Sequence, residues 1–141
     1  MTTLRTDPEA MPWTVGTEMY GAGALYDGKP ILELKTLSDR RGEGGGVAYL
    51  LRATPPAGKV IKIIAVARSE EHIFNLSGGG RVNKAGKPVA APGGYALNPT
   101  GQPHSGMIAT PTTSLVIYSG EPDEVKSVEV LDVEPAPGDA P

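Results

Sequence analysis

Residues 93–104 read Gly93-Gly94-Tyr95-Ala96-Leu97-Asn98-Pro99-Thr100-Gly101-Gln102-Pro103-His104. Gly93 supplies a turn into a short strand over Tyr95–Asn98. Pro99 fixes its own φ and gives no backbone donor, so the strand stops there. Gly101 accepts backbone conformations closed to other residues, and together with Pro99 it makes a tight turn. His104 then stands at the start of the next strand. The stretch therefore predicts strand, turn, strand.

The neighbouring segments repeat this rhythm. ILELK (Ile31 to Lys35) is a short alternating strand, and DRRGEGGG (Asp39 to Gly46) is a charged, glycine-rich turn. VAYLLR (Val47 to Arg52) and KVIKIIAVA (Lys59 to Ala67) are separated by TPPAG, whose prolines cannot continue a ladder. HIFNL (His72 to Leu76) ends at Ser77-Gly78-Gly79-Gly80, and Arg81 to Ala90 reads as a weak hairpin around Ala85-Gly86. SLVIY (Ser114 to Tyr118) and KSVEVLDV (Lys126 to Val133) complete the set. With 19 glycines and 14 prolines, long helices are excluded, and short strands with turns every ~8–12 residues point to a sandwich or small barrel. Residues 1–12 read as a loose arm, Trp13 as a core plug that anchors it, 13–133 as one all-β domain and 134–141 as a solvated tail. Both faces of Lys59–Ala67 are mainly apolar, so that strand is expected to be covered on both sides. From this a homodimer is expected.

The spacing G-x5-P-x-G-x-P-H, carried by Gly93, Pro99, Gly101, Pro103 and His104, resembles the second motif of the cupins. The first motif would be H-x-H, a short gap, Glu and a strand ending in Gly. Here Ile64-Ala65-Val66 stands before Glu70-Glu71, and Gly78 closes the strand. The preceding LLRATPPAG (Leu50 to Gly58) resembles the cupin-like domain of anti-sigma factors and of aromatic-ketone dioxygenases. The resemblance spans about residues 45–120. It implies a small cupin double-stranded β-helix, or jelly-roll, barrel.

Cupins hold a divalent metal through three histidines and a glutamate, and the matching positions are Ile64, Val66, Glu71 and His104. Imidazole and carboxylate suit such ions; isoleucine and valine do not. The departure implies no tightly bound cofactor and at most a weak or atypical divalent metal. It leaves His104 and Glu71 as a structural pair or as a general acid/base couple, since a carboxylate raises an imidazole's basicity and fixes its tautomer. By strand parity Lys62 shares the inward face of Ile64 and Val66, and Asn75 shares that of Glu71. Tyr95, Tyr118, Arg52 and Met107 are candidate wall residues for a small-molecule ligand. His72 falls on the outer face with Glu70.

The remaining features exclude more than they propose. The formal charge is −3, from 13 basic and 16 acidic residues, and no basic run marks a nucleic-acid or anionic-membrane surface. There is no cysteine for disulfides or thiolate chemistry. No apolar run approaches the ~18 residues of a membrane span, and the first residues lack the apolar core of a signal peptide. A cytoplasmic location is expected. The glycine runs lead into no helix carrying Lys-Ser/Thr, so they are not phosphate loops. The favoured reading is a metal-independent proton-transfer enzyme (isomerase, cyclase or lyase) using His104 and Glu71. A non-catalytic ligand-binding or sensory module and a metal-dependent dioxygenase with an atypical site are the alternatives.

Overall fold

The computed structural model describes residues 2–83, 85–89 and 93–133. The strands are β1 (Thr14–Val15), β2 (Leu25–Tyr26), β3 (Lys29–Pro30), β4 (Leu32–Asp39), β5 (Val47–Ala53), β6 (Lys59–Val66), β7 (Glu71–Gly78), β8 (Tyr95–Asn98), β9 (Pro103–Ile108), β10 (Thr112–Tyr118) and β11 (Glu124–Asp132). A one-turn α-helix, α1, spans Thr17–Tyr20. The two-residue strands β2 and β3 form a hairpin that the sequence reading overlooked. Its turn, Asp27-Gly28, has φ of 51° and 75° at the two central residues, the positive values a type I′ turn requires.

Two antiparallel sheets build the body. One runs β1-β4-β5-β10-β7-β8 and the other β11-β6-β9. Strand β5 shows how each strand serves them: Val47, Tyr49, Leu51 and Ala53 are buried while Ala48, Leu50 and Arg52 are half-buried, the period of two that a sheet with one core face imposes. The core gathers Tyr20, Leu32, Tyr49, Leu51, Ile61, Val116 and Tyr118 from both sheets and from the segment before β4. The expected turn is formed at Pro99–Gln102, with the Gln102 amide donating to Pro99 O at 3.2 Å and Gly101 at φ 87°.

Several expectations are corrected. On β6 the residues that face the interior are Ile61, Ile63 and Ala65, and not Lys62, Ile64 and Val66. The register gives the reason. Ala65 lies directly opposite His104, and Ile63 opposite Gly106; paired residues share a face, so the imidazole draws the odd positions inward. Met107, opposite Lys62, faces away with it. Arg52 also points outward, paired with Glu33 at 3.0 Å. Trp13 is no core plug. It lies half-buried on the outer sheet face, with Lys35 Nζ 4.7 Å and Arg52 Cζ 4.4 Å from its ring centroid. The arm before it makes two contacts with the sheet: Thr6 Oγ1 donates to Leu37 O at 3.1 Å, and Lys35 Nζ to Pro8 O at 2.7 Å. The weak hairpin expected over Arg81–Ala90 is present among the described residues: Val82 bridges Pro88 antiparallel, the Val89 amide donates to Arg81 O at 3.1 Å and the Asn83 amide to Lys87 O at 2.9 Å, with residues 84 and 90 outside the described set. The expected tail, 134–141, also lies outside it. No helix among the described residues is long and apolar enough to cross a membrane.

Candidate functional site

Between the sheets lies a cavity of about 360 Å³. Its walls are chiefly apolar, from Leu51, Ile63, Ala65, Ile73, Ile108, Val116 and Val125. At one end the polar groups converge.

Glu71 opens β7 directly opposite Tyr118 of β10 and Asn98 of β8. Only 4% exposed, its carboxylate accepts from Tyr118 Oη at 2.6 Å on Oε2 and from Asn98 Nδ2 at 2.8 Å on Oε1. Tyr49 Oη lies 3.2 Å from Tyr118 Oη and 3.1 Å from Met19 Sδ. His104 comes from the start of β9, as the Pro99–Gln102 turn dictates. Its Nε2 lies 3.6 Å from Glu71 Oε1 but makes its hydrogen bond, at 2.7 Å, to Asp123 Oδ2. Asp123 ends the loop between β10 and β11. That loop is fastened to the residues just before Glu71: Ser69 Oγ donates to Glu121 O at 2.8 Å and Arg68 Nε to Pro122 O at 2.7 Å. The same fastening thus places both carboxylates around one imidazole.

The electrostatics follow from burial and pairing. The hydrogen bond to Asp123, supported by its charge and that of Glu71, raises the His104 pKa above the usual imidazole range despite burial. Burial, with the Asp123 charge beside it, raises the Glu71 carboxyl, and the donor bond from Tyr118 opposes that rise. Burial holds the Tyr118 and Tyr49 phenols well above their ordinary value, so both remain proton donors. The cluster is an imidazole able to hold a proton between two carboxylates, one of them kept in place by a phenol and an amide.

Of the side chains singled out from sequence, Glu71, His104, Asn75 and Tyr118 line the cavity, while Lys62, Ile64, Val66 and Met107 do not. Tyr95, expected as a wall residue, borders the cavity only at its rim; its ring lies on the outer face against Phe74 and His72, because it is paired with Phe74, and its hydroxyl is 2.5 Å from His72 Nδ1. His72 lies on the outer face as expected, 2.9 Å from Glu70. Sequence reasoning missed Asp123, the direct partner of His104, and also Tyr49, Asn98 and Arg81. Asp123 carried no signal: an acid in a loop looks like any other of the 16 acidic residues.

Whether the cluster suits a divalent metal can be asked of its donor atoms. One from each of Glu71, His104 and Asp123 fall within 4.8 Å of one another. Asp123 Oδ1 is buried with no hydrogen-bond partner among the described residues. Imidazole and two carboxylates form an acceptable ligand set for such an ion, so three residues fit it. Ile63 and Ala65 fill the inward β6 positions and offer no further ligand.

Neither a family model nor a curated protein sequence matches this chain. Solved structures do. The polyketide cyclase RemF from Streptomyces resistomycificus superposes with a TM-score of 0.60 at 18% identity, over 96% of this chain and 88% of its own. The DMSP lyase DddQ from Ruegeria pomeroyi gives 0.52 at 22% identity over 78% of this chain, which spans only 56% of that enzyme's length. A protein of unknown function with a cupin-like fold from Ralstonia eutropha gives 0.57 at 16% identity, over 89% of this chain and 77% of its own. At these identities the likeness establishes architecture alone: two antiparallel sheets enclosing a cavity, with a histidine delivered by the Gly-x-Pro-His turn, give this chain a cupin-like fold.

Proposed function

We propose that the chain is a small-molecule enzyme that transfers a proton at carbon, as an isomerase, cyclase or lyase does, with His104 as the acid/base. One observation carries this reading. A half-buried imidazole is held 2.7 Å from one buried carboxylate and 3.6 Å from another at the end of an apolar cavity. Asp123 orients the ring and balances the charge when it gains a proton. Glu71 adds a second negative neighbour. The Tyr118 hydroxyl is committed to Glu71, so its part is to hold that carboxylate still. Apolar walls exclude water from the exchange of the proton. That RemF is a cyclase and DddQ a lyase is compatible with this reading, though fold analogy supplies no reaction.

The test is proton exchange. Wild-type protein and His104→Gln are incubated in D2O with a panel of small carbonyl compounds, and loss of C–H signal is followed by NMR. General acid/base catalysis contributes about 10²–10⁴ in rate, so His104→Gln should slow exchange by at least about 100-fold. Exchange that proceeds unchanged in the variant would remove His104 from the chemistry.

The unpartnered Asp123 Oδ1 favours a second reading, in which Glu71, His104 and Asp123 hold a divalent metal. Such an ion would supply a Lewis acid that polarises a substrate oxygen.

A further inference from the structure

The cavity contains one further charged group, at a distance from the acid/base cluster. Arg81 follows Gly78-Gly79-Gly80, where Gly78 and Gly80 take φ of 93° and 71° and carry the chain off the end of β7. The backbone of Arg81 then bridges Ile108 of β9, and the Val82 amide donates to Met107 O at 2.9 Å. From there the Arg81 side chain turns back along β9, and its Nη1 donates to Ser105 O at 3.1 Å.

The position where the guanidinium comes to rest is informative. A Cβ added to Gly106 would lie 2.3 Å from Arg81 Nη1 and 2.7 Å from its Cζ. Gly106 faces the interior opposite Ile63. The guanidinium therefore occupies the inward side-chain place that Gly106 leaves empty, between His104 and Ile108. Two residues of strand separate that place from His104, about 7 Å. Arg81 lines the cavity and forms no ion pair among the described residues. A guanidinium has five N–H donors, and the Ser105 carbonyl occupies only one. The guanidinium makes no other hydrogen bond among the described residues.

We propose that Arg81 seats the carboxylate of a small, otherwise apolar acid, whose carbon chain extends over His104. The planar fork matches a carboxylate with two parallel hydrogen bonds. A carboxylate docked there leaves the next few carbons within reach of the imidazole, where a proton can be taken or given. The seat names the ligand class of the site proposed above and rests on the same cavity.

The experiment titrates hexanoate and its neutral isostere hexanamide into the full chain, followed by amide chemical shifts. The carboxylate should bind about tenfold or more tightly than the amide, the difference that a charge-assisted pair makes, and should shift the Gly106 and His104 amides. Arg81→Gln should lose that preference. So should Gly106→Ala, which keeps the arginine and the ordinary extended backbone of the strand but fills the space under the guanidinium. Arg81→Lys should retain part of it. Equal binding of acid and amide overturns the seat. So does a hexanoate affinity unchanged in both Arg81→Gln and Gly106→Ala, or no hexanoate binding at millimolar concentration. Binding requires no turnover. Hexanoate held through Arg81 by a protein that exchanges no protons keeps the seat and retires the enzyme reading, while proton exchange without the acid preference does the reverse.

Discussion

Replacing Tyr118 by Phe removes one oxygen from a buried network and little else. The side chain is 2% exposed, and phenylalanine fills nearly the same volume in the same rotamer, so packing is kept. The hydroxyl donates to Glu71 Oε2 at 2.6 Å and lies 3.2 Å from Tyr49 Oη. A hydrogen bond to a charged group is worth about 1.5–3 kcal/mol, against about 1 for a neutral pair. The cost should therefore depend on the charge of Glu71, whose carboxyl is raised by burial and lowered by this same bond. A carboxyl raised in the folded state contributes stability that is complete below its unfolded value and lost as pH rises through the folded one. Tyr118→Phe raises Glu71 further and steepens that loss. Urea denaturation in chelator-containing buffer, followed by circular dichroism, should give a destabilisation of about 1 kcal/mol in mild acid, growing to about 2–3 kcal/mol in mild alkali. A penalty below about 0.5 kcal/mol at both ends, the size of an ordinary surface substitution, would refute the account of Glu71 as a carboxylate held by Tyr118.

Two other perturbations test the surroundings. Asp123→Asn removes the largest cause of the raised His104 pKa, so the imidazole, followed by NMR in metal-free buffer, should titrate at lower pH than in the wild type; an unchanged titration would mean that the 2.7 Å contact does not persist in solution. In the wild type the same raised pKa makes His104 contribute stability below the unfolded value of 6.5 that fades as pH rises through the folded one. The homodimer was expected from the two apolar faces of Lys59–Ala67; we propose that its surface lies instead on the outer face of β7, β8 and β10, where Phe74, Leu76, Tyr95, Leu97 and Ile117 are exposed. Sedimentation should give a dimer that Leu97→Lys converts to monomer, and a wild-type monomer at high micromolar concentration would remove the expectation.

Much of the architecture was legible because proline and glycine punctuate it. Pro99, Gly101 and Pro103 force the turn that delivers His104, and the strand beginning at Glu71 is bounded by Gly78. What was not legible had specific causes. Lys59–Ala67 is apolar on both faces, so its parity is undecided until Ala65 is seen opposite His104; the family spacing alone assigned Ile64 and Val66 to the interior. Trp13 suggested a core residue because of its size, yet its neighbours on the sheet are Lys35 and Arg52, whose cations cover the ring. Asp27-Gly28 escaped notice because its strands are too short to show alternation. Asp123 and Arg81 lie in loops, where direction depends on hydrogen bonds to distant segments, such as Ser69 to Glu121 and Arg81 to Ser105, that no local pattern encodes.

The central claim is that His104, framed by Asp123 and Glu71, moves protons without a metal. The most direct measurement is elemental analysis of the purified protein, combined with D2O exchange before and after chelation. The account predicts exchange that depends on His104, persists after chelation and requires no stoichiometric metal. One equivalent of a transition metal, lost in Asp123→Asn and required for exchange, would contradict it and assign the three residues to a metal centre instead.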